Sequence, residues 1–131
     1  MSAGLLDTSV VIEWDAPEVA AALPDEAAIC AVTLAELTAG PHVASSADER
    51  ARRQARVQQV EATFEAIDFD AAAARSYGQV VAAVVGIRRS HRSRIADLLI
   101  AATAHSNGLP LYTRNPDDFD GLGEVIEIVA I

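Results

Sequence analysis

The sequence predicts an α/β fold in which helices cover both faces of a central, mostly parallel sheet. Short apolar runs of strand length alternate with segments of helical period along the chain, as in consecutive strand-helix units. The length of 131 residues suits one domain, and 51% hydrophobic residues can fill a core. We therefore expect a single three-layer α/β/α sandwich that spans residues 1–131.

The first predicted unit is a buried strand followed by a helix. Ala3–Leu6 is a short apolar run that stops at Asp7, and apolar residues recur at helical spacing after Ser9. Asp7 thus falls at the carboxyl end of a strand, where open α/β sheets bind ligands. One of Asp7, Thr8 and Ser9 is explained as the helix N-cap, although three such residues are more than one helix needs.

The second unit repeats this arrangement with a different acid. Pro17 begins a short helical stretch, and Ala27–Val32 is a second apolar strand. Thr33 and Glu36 follow with the spacing of a capping box, in which the glutamate would bond back to the threonine N–H. Glu36 also lies just past the carboxyl end of a strand. The spacing alone does not choose between a cap and a functional acid.

The alternating pattern continues to the end of the chain. Gly40 and Pro41 end the helix that follows Thr33. The remaining predicted elements are a polar helix over Asp48–Phe64, a strand over Ala66–Phe69, a helix over Ala71–Val85 capped by Asp70, a strand over Gly108–Thr113 and an edge strand over Val125–Val129.

One carboxylate interrupts an otherwise apolar helix. Residues from Arg94 to Ser106 favour a buried helix with Ser93 as its N-cap, which places Asp97 in the first turn. Burying a lone charge is costly unless something compensates it. The alanines beside Asp97 on the same face leave room for a metal ion, while the helix dipole also favours an acid at this position.

A polar turn follows the predicted fourth strand. Arg114 and Asn115 precede Pro116, which favours a fixed turn over a continuing helix, and Asp117 and Asp118 come next. Polar and acidic side chains therefore follow this strand at its carboxyl end as well.

The basic residues are all arginines, in a chain whose net charge is −9. That charge argues against a general nucleic-acid binder held by bulk electrostatics. The cluster Arg50, Arg52, Arg53 and Arg56 is interpreted as a solvated helix face, with Glu49 placed to pair with Arg53. A second basic cluster precedes Asp97. Binding of phosphate and an exposed loop made soluble by charge explain it equally well. Its members are Arg88, Arg89, His91, Arg92 and Arg94.

The cysteine count, the N-terminal segment and the length of the apolar runs indicate the compartment in which the protein acts. The single cysteine, Cys30, excludes an internal disulfide and a multi-cysteine zinc site. The N-terminus lacks the basic segment of a signal peptide, and no apolar run approaches the roughly 20 residues that span a bilayer. We expect a cytoplasmic protein with no membrane association.

The acids can converge although they are far apart in the sequence. Asp7, Glu36 and the Asn115–Asp118 turn follow strands whose carboxyl ends share one edge of a parallel sheet, and Asp97 is the fourth member. Clustered carboxylates repel unless a divalent cation lies among them, and Mg²⁺ prefers oxygen ligands. Such a site can activate water for displacement at a phosphoryl group without a cysteine or histidine nucleophile.

Four blocks of this sequence, in this order, resemble the PIN-domain family, specifically the VapC-like ribonuclease toxins of bacterial toxin-antitoxin modules. Together they cover essentially the whole chain. The blocks are Leu5–Val10, Val32–Leu37, Asp97–Ala104 and Thr113–Phe119.

The resemblance implies an acidic pocket for Mg²⁺ or Mn²⁺ and endonucleolytic cleavage of RNA, with tRNA or rRNA as substrate. It also implies a homodimer and a cognate VapB-like antitoxin whose C-terminal segment occupies the active-site groove. By motif position, Asp7, Glu36 and Asp97 carry over as the metal-binding acids. Asn115 stands where many family members have aspartate, so Asp117 or Asp118 would supply the fourth charge.

Our hypothesis assigns a role to each candidate. Asp7 and Asp97 hold Mg²⁺, Glu36 binds metal or orients the attacking water, and Asn115 orients water or a ligand, with Asp118 as a further catalytic acid. RNA phosphates are contacted by Arg92, Arg94 or Arg114. The alternative is a catalytically weak module of the same fold that binds metal and antitoxin.

Overall fold

A five-stranded parallel sheet forms the centre of the molecule in a computed structural model that describes residues 2–87 and 94–131. The strand order is β3-β2-β1-β4-β5, and all four pairings are parallel. This confirms the predicted sheet, including an edge position for the last strand. The strands are β1 (Ala3–Leu6), β2 (Glu26–Cys30), β3 (Glu65–Ile67), β4 (Leu111–Thr113) and β5 (Ile128–Ala130).

Within the described residues, six helices connect the strands. Asp70 caps one of them as predicted, since its Oδ1 accepts a hydrogen bond of 2.9 Å from the Ala73 N–H. The helices are α1 (Thr8–Val11), α2 (Pro17–Ala20), α3 (Ala31–Ala39), α4 (Ala47–Thr63), α5 (Ala71–Gly86) and α6 (Ile95–Ser106), and two 3₁₀ turns cover Gly40–Val43 and Pro116–Phe119.

Two neighbouring leucines of β1 show why the fold has three layers. Successive side chains of a strand point to opposite faces, so Leu5 and Leu6 enter two different cores. Leu5 packs in the cluster that α5 and α6 cover, and Leu6 packs in the cluster that α1 and α4 cover. Both are fully buried, and each burial contributes about 1.5–3 kcal/mol. A continuous apolar run is thus what a strand covered on both faces requires.

The predicted boundaries of the second unit were wrong. We expected the strand to continue to Val32, but β2 ends at Cys30, which is also the N-cap residue of α3. Ala31 and Val32 are apolar, and hydrophobicity alone does not distinguish a buried strand from the first turn of a buried helix. Thr33 therefore lies inside α3, and the predicted capping box is not formed.

The other differences are smaller. The first helix is only four residues long and ends at Val11, and β4 begins at Leu111 instead of Gly108. Arg94 occupies the N-cap position of α6. The predicted cap Ser93 lies outside the described residues, as does Arg92. Within the two described ranges, no helix has the length and apolar character needed to cross a membrane.

Candidate active site

Asp7 is buried at the end of the central strand. Only 3% of its surface is exposed, and its backbone N–H donates to the Tyr112 carbonyl at 2.9 Å, which extends the contact between β1 and β4. Its Oδ2 accepts hydrogen bonds from Ser9 Oγ at 2.7 Å and Thr113 Oγ1 at 2.9 Å. In the described structure, the Asp7 side chain makes no capping bond to α1. The carboxylate is therefore held by two side-chain hydroxyls, one of them from Ser9 in α1, and not by backbone N–H groups of that helix.

The two hydroxyls that hold Asp7 are themselves fixed by the turn after β4. Thr113 Oγ1 accepts from the Asn115 N–H at 3.0 Å, and Ser9 Oγ accepts from the Arg114 N–H at 3.1 Å. Each hydroxyl thus accepts one bond and donates another, an arrangement in which the bonds strengthen one another. Sequence reasoning considered Ser9 only as a cap and missed Thr113. A polar residue at the last position of a buried strand was the available signal.

Glu36 projects from α3 and is bonded to α1. Its Oε1 accepts a hydrogen bond of 2.7 Å from Thr8 Oγ1, which also lies 3.0 Å from Thr33 Oγ1. Because Thr8 gives its only hydroxyl proton to Glu36, Thr33 must be the donor in the threonine pair. In the described contacts, Thr8 and Thr33 therefore form a hydrogen-bond chain to Glu36 and do not take the predicted capping roles.

Asp97 lies in the first turn of α6 and is partly buried. Burial is the main cause that raises the pKa of its carboxyl from 3.8 to about 6. The negative charges of Asp7, Asp118 and Glu36 raise this pKa further, and Arg94 opposes them. The negative charges of these three carboxylates therefore all act on Asp97. We call this group, Asp7, Glu36, Asp97 and Asp118, the acidic site.

The turn after β4 contributes different groups to the acidic site. Buried Phe119 anchors the turn in the core, whereas Asn115, Asp117 and Asp118 are exposed. Asp118 is the member whose charge acts on Asp97. The Asp117 carbonyl accepts a bond of 3.4 Å from Arg94 Nη2. The structure thus distinguishes Asn115, Asp117 and Asp118 by their contacts, which the sequence could not do.

The predicted phosphate-binding arginines have different surroundings. Arg94 Nη1 is buried and has no hydrogen-bond partner in the described part of the chain, although Nη2 reaches the turn. Arg114 Nε forms an ion pair of 3.2 Å with Glu13 Oε2 at the surface. Arg94 is therefore the cation beside Asp97, while Arg114 lies on the side of α1.

The carboxylate oxygens of the acidic site are suitable ligands for a hard cation, but they do not form a closed set. Within residues 2–87 and 94–131, no three acidic, histidine or cysteine side chains are placed so that together they could hold a metal ion. Mg²⁺ commonly binds one or two carboxylates and keeps several waters, so it does not need such a closed cage. A cation at this site would also relieve the repulsion that Asp97 experiences.

A groove of about 440 Å³ opens beside the acidic site, between α3 and α4. We call it the α3–α4 groove. The predicted bond between Glu49 Oε1 and Arg53 Nε is present at 2.9 Å, but Arg53 and Arg56 are only partly exposed. The interpretation of this cluster as a solvated face agrees with Arg50 and Arg52, which are exposed, but not with Arg56, which is mostly covered. The residues that line the groove are Thr8, Ile12, Glu36, Leu37, Gly40, Glu49, Arg52, Arg53 and Arg56.

Comparison with known proteins gives matches over the whole chain. The family model of the PIN domain matches residues 4–125. The sequence is 40% identical to Ribonuclease VapC5 of Mycobacterium tuberculosis, an alignment that covers 99% of this chain and 96% of the relative.

Solved structures agree with the sequence match. The VapBC-5 toxin-antitoxin structure from Mycobacterium tuberculosis contains a chain with a TM-score of 0.85 and 39% identity, and both chains are covered completely. The DNA-bound VapBC structure from Salmonella typhimurium gives a TM-score of 0.79 and 27% identity, with 98% of this chain and 97% of the other covered. FitAcB from Neisseria gonorrhoeae gives a TM-score of 0.77 and 26% identity, with 95% of each chain covered.

Proposed function

This chain belongs to the PIN-domain family, and from that premise we propose that it is a metal-dependent endoribonuclease and the toxin of a toxin-antitoxin module. The observation that carries the proposal is that the charges of Asp7, Glu36 and Asp118 all act on the Asp97 carboxyl, while hydrogen bonds from Thr113 and Thr8 hold Asp7 and Glu36 in place. The 40% identity to a protein named as a VapC ribonuclease supports RNA as the substrate class. The proposed reaction is hydrolysis of an RNA phosphodiester bond in the cytoplasm, with tRNA or rRNA as the target.

Asp7 and Asp97 are the proposed ligands of Mg²⁺, or of Mn²⁺ in its place. When bound, the cation would supply an activated water and stabilise the charge of the phosphoryl group. Asp7 is suited to this role because two hydroxyls occupy its Oδ2 and fix the direction of the carboxylate. Asp97 is suited because burial, and then the neighbouring acids, disfavour its ionised form until a positive charge arrives.

Glu36 is proposed to orient the attacking water or to bind metal. Thr8 holds its Oε1, which leaves the second carboxylate oxygen for a water or a ligand. Asp118 is proposed as the fourth acid, because its charge reaches Asp97 while Asn115 stands at the motif position. Asn115 has a side chain that can orient water or substrate without adding charge.

Arginines are proposed to receive the RNA phosphates. Arg94 is the strongest of the three original candidates, because its Nη1 is a buried donor without a described partner beside the acidic site. Arg114 could exchange its exposed ion pair with Glu13 for a phosphate, since such pairs contribute about 0–1 kcal/mol. Arg92 keeps its proposed role on the sequence argument alone.

A VapB-like antitoxin and a second copy of the chain are the proposed partners. The two VapBC structures compared above contain toxin-antitoxin assemblies, which supports an antitoxin for this chain. Val85, Ile87 and Ile95 are each about half exposed around the end of α5 and the start of α6. Exposed apolar side chains are common in protein interfaces, and these three support the proposed homodimer.

A catalytically weak module that binds metal and antitoxin is the second candidate. It is favoured by one observation, namely that no closed metal-binding group is formed by the described residues. Mg²⁺ would then stabilise the protein without supporting RNA cleavage.

The test is cleavage of a labelled panel of total RNA and tRNA by purified, antitoxin-free protein, with Mg²⁺ or Mn²⁺ against EDTA. Asp7→Asn and Asp97→Asn should abolish the metal-dependent products. Asp68→Asn is the matched control, because Asp68 is exposed in the loop before α5. Cleavage that persists in both site variants would contradict the proposed site, and inert wild-type protein stabilised by Mg²⁺ would favour the weak module.

A further inference from the structure

We propose that the α3–α4 groove carries the phosphate backbone of the substrate RNA to the acidic site, with Arg52 and Arg56 as phosphate contacts. This inference rests on the proposed ribonuclease function and extends it, because it assigns a path to the substrate. It also involves arginines that the sequence had indicated as a solvated face.

The groove is continuous with the acidic site. Thr8 and Glu36 are among its lining residues, and they are joined by the 2.7 Å hydrogen bond that holds the Glu36 carboxylate. A chain that lies in the groove therefore reaches Glu36 at its inner end. A nuclease needs such a continuous path, because the scissile phosphate must lie at the acids while its neighbours bind elsewhere.

The α4 wall of the groove is cationic although the whole chain has a net charge of −9. Arg52 and Arg53 lie four and three residues before Arg56, so both neighbour it on the side of α4 that lines the groove. Arg53 is committed to the protein: its Nη1 donates to the Gly40 carbonyl and its Nε to Glu49, both at 2.9 Å. Arg52 and Arg56 are the two arginines of the wall that can serve a ligand.

The present partners of these two arginines are exchangeable. Arg52 pairs with Glu49, which already pairs with Arg53, so one carboxylate serves two guanidinium groups. Arg56 Nη1 lies 3.0 Å from Asp15 Oδ1, and the Asp15 side chain is 55% exposed. Exposed pairs contribute little stability, whereas a phosphate accepts both donors of the planar guanidinium fork. The two arginines can therefore turn to phosphates at low cost.

The opposite side of the groove suits the nucleoside part of an RNA. Ile12 lines the groove and is 49% exposed, so it supplies apolar surface there, to which the largely buried Leu37 adds little. A single RNA strand presents the same two chemistries, an anionic backbone and apolar ring faces. The lining residues include no aromatic platform, and we expect the groove to bind RNA with little sequence preference.

The experiment measures RNA binding separately from cleavage. A fluorescent RNA that the wild-type protein cleaves is titrated with full-length Asp97→Asn protein in EDTA at several salt concentrations. Adding Arg52→Gln or Arg56→Gln should lower the affinity several-fold and reduce the log-log salt slope by about 0.7 for each lost phosphate contact. Arg52→Lys and Arg56→Lys should keep most of the slope, because they keep the charge. Arg50→Gln, on the same helix but not lining the groove, should match the parent.

The outcomes separate this inference from the proposed function. If wild-type protein cleaves RNA but the glutamine variants bind it as Arg50→Gln does, the groove inference is wrong and the ribonuclease stands. The same holds if those variants lose affinity for a co-expressed antitoxin and keep RNA affinity, since the groove would then hold a protein segment. If wild-type protein neither binds nor cleaves any RNA, the proposed function itself fails. Unchanged melting temperatures verify that the variants are folded.

Discussion

Thr8 Oγ1 donates a hydrogen bond of 2.7 Å to Glu36 Oε1 and thereby joins α1 to α3 beside the acidic site. Glu36 is exposed, so without this bond its carboxylate would have several rotamers available. Thr33 Oγ1 lies 3.0 Å from Thr8 Oγ1 and donates a hydrogen bond to it, so the Thr8 hydroxyl proton points toward the Glu36 carboxylate. Thr8 is therefore a positioning residue for Glu36.

Thr8→Val should lower kcat/KM for RNA cleavage by about tenfold or more, because a hydrogen bond to a charged group contributes about 1.5–3 kcal/mol. Thr8→Ser keeps the hydroxyl and should retain most of the activity. The control is Thr38→Val, which removes a hydroxyl of α3 that bonds the Ala35 carbonyl. Cleavage kinetics combined with Mn²⁺ titration test this role. Equal kinetics for Thr8→Val and Thr38→Val would contradict it.

Asp97 should destabilise the metal-free protein at neutral pH. Its folded-state pKa of about 6 exceeds the ordinary value of 3.8, so folding favours the protonated acid. The stability that this proton contributes is complete below about pH 4 and is lost as the pH rises through 6. In EDTA, Asp97→Asn should therefore be more stable than wild type at pH 7.5, by about 1–2 kcal/mol after allowance for solvent screening.

The Asp97→Asn advantage should fall to a small fraction at pH 4, where the folded wild-type carboxyl is protonated and the unfolded one, close to its pKa of 3.8, is about half protonated. Urea unfolding at the two pH values measures the difference, and Asp68→Asn shows the effect of removing an exposed aspartate. An Asp97→Asn protein that is less stable than wild type at pH 7.5 would mean that the ionised carboxylate makes favourable contacts in the folded state.

Mg²⁺ should stabilise the wild-type protein through the acidic site. A ligand at one hundred times its Kd adds about 2.7 kcal/mol, which raises the melting temperature by several degrees in a domain of this size. Asp7→Asn and Asp97→Asn should lose this response, while Asp68→Asn keeps it. Differential scanning calorimetry with MgCl₂ against NaCl of equal ionic strength measures it. An equal response in the wild type and both site variants would place the binding elsewhere.

The sequence predicted the parts of this molecule that depend on local patterns. The apolar run before Asp7 indicated the central strand, and the isolated charge of Asp97 in an apolar helix indicated a site that needs a partner. The bond from Thr8 to Glu36 could not be predicted, because it joins residues that lie in different strand-helix units. The capping-box spacing of Thr33 was misleading, since Ala31 and Val32 are as apolar in a helix as in a strand.

The α3–α4 groove was beyond sequence reasoning for a different reason. Helical spacing placed Arg52, Arg53 and Arg56 on one face of α4, but the element that this face meets depends on the tertiary fold. The bond from Arg53 to the Gly40 carbonyl shows that the face meets the end of α3. A charged helix face is usually solvated, and only the tertiary packing shows that this face of α4 lines a groove.

Thr113 should be as important for Asp7 as Thr8 is for Glu36. Thr113→Val removes one of the two hydroxyls on Asp7 Oδ2 and also leaves the Asn115 N–H without its acceptor. We expect a loss of about 1–3 kcal/mol in the free energy of unfolding and weaker Mn²⁺ binding, because a buried carboxylate loses a donor.

The comparison that isolates this role is Thr103→Val. Thr103 is also fully buried, but its hydroxyl bonds the Leu99 carbonyl within α6, away from Asp7. Both valine variants remove one buried hydroxyl, so a stability loss alone does not distinguish them. Mn²⁺ affinity does, because it should fall in Thr113→Val, remain in Thr103→Val and recover in Thr113→Ser. Equal Mn²⁺ affinity in the two valine variants would show that Asp7 keeps its position without Thr113.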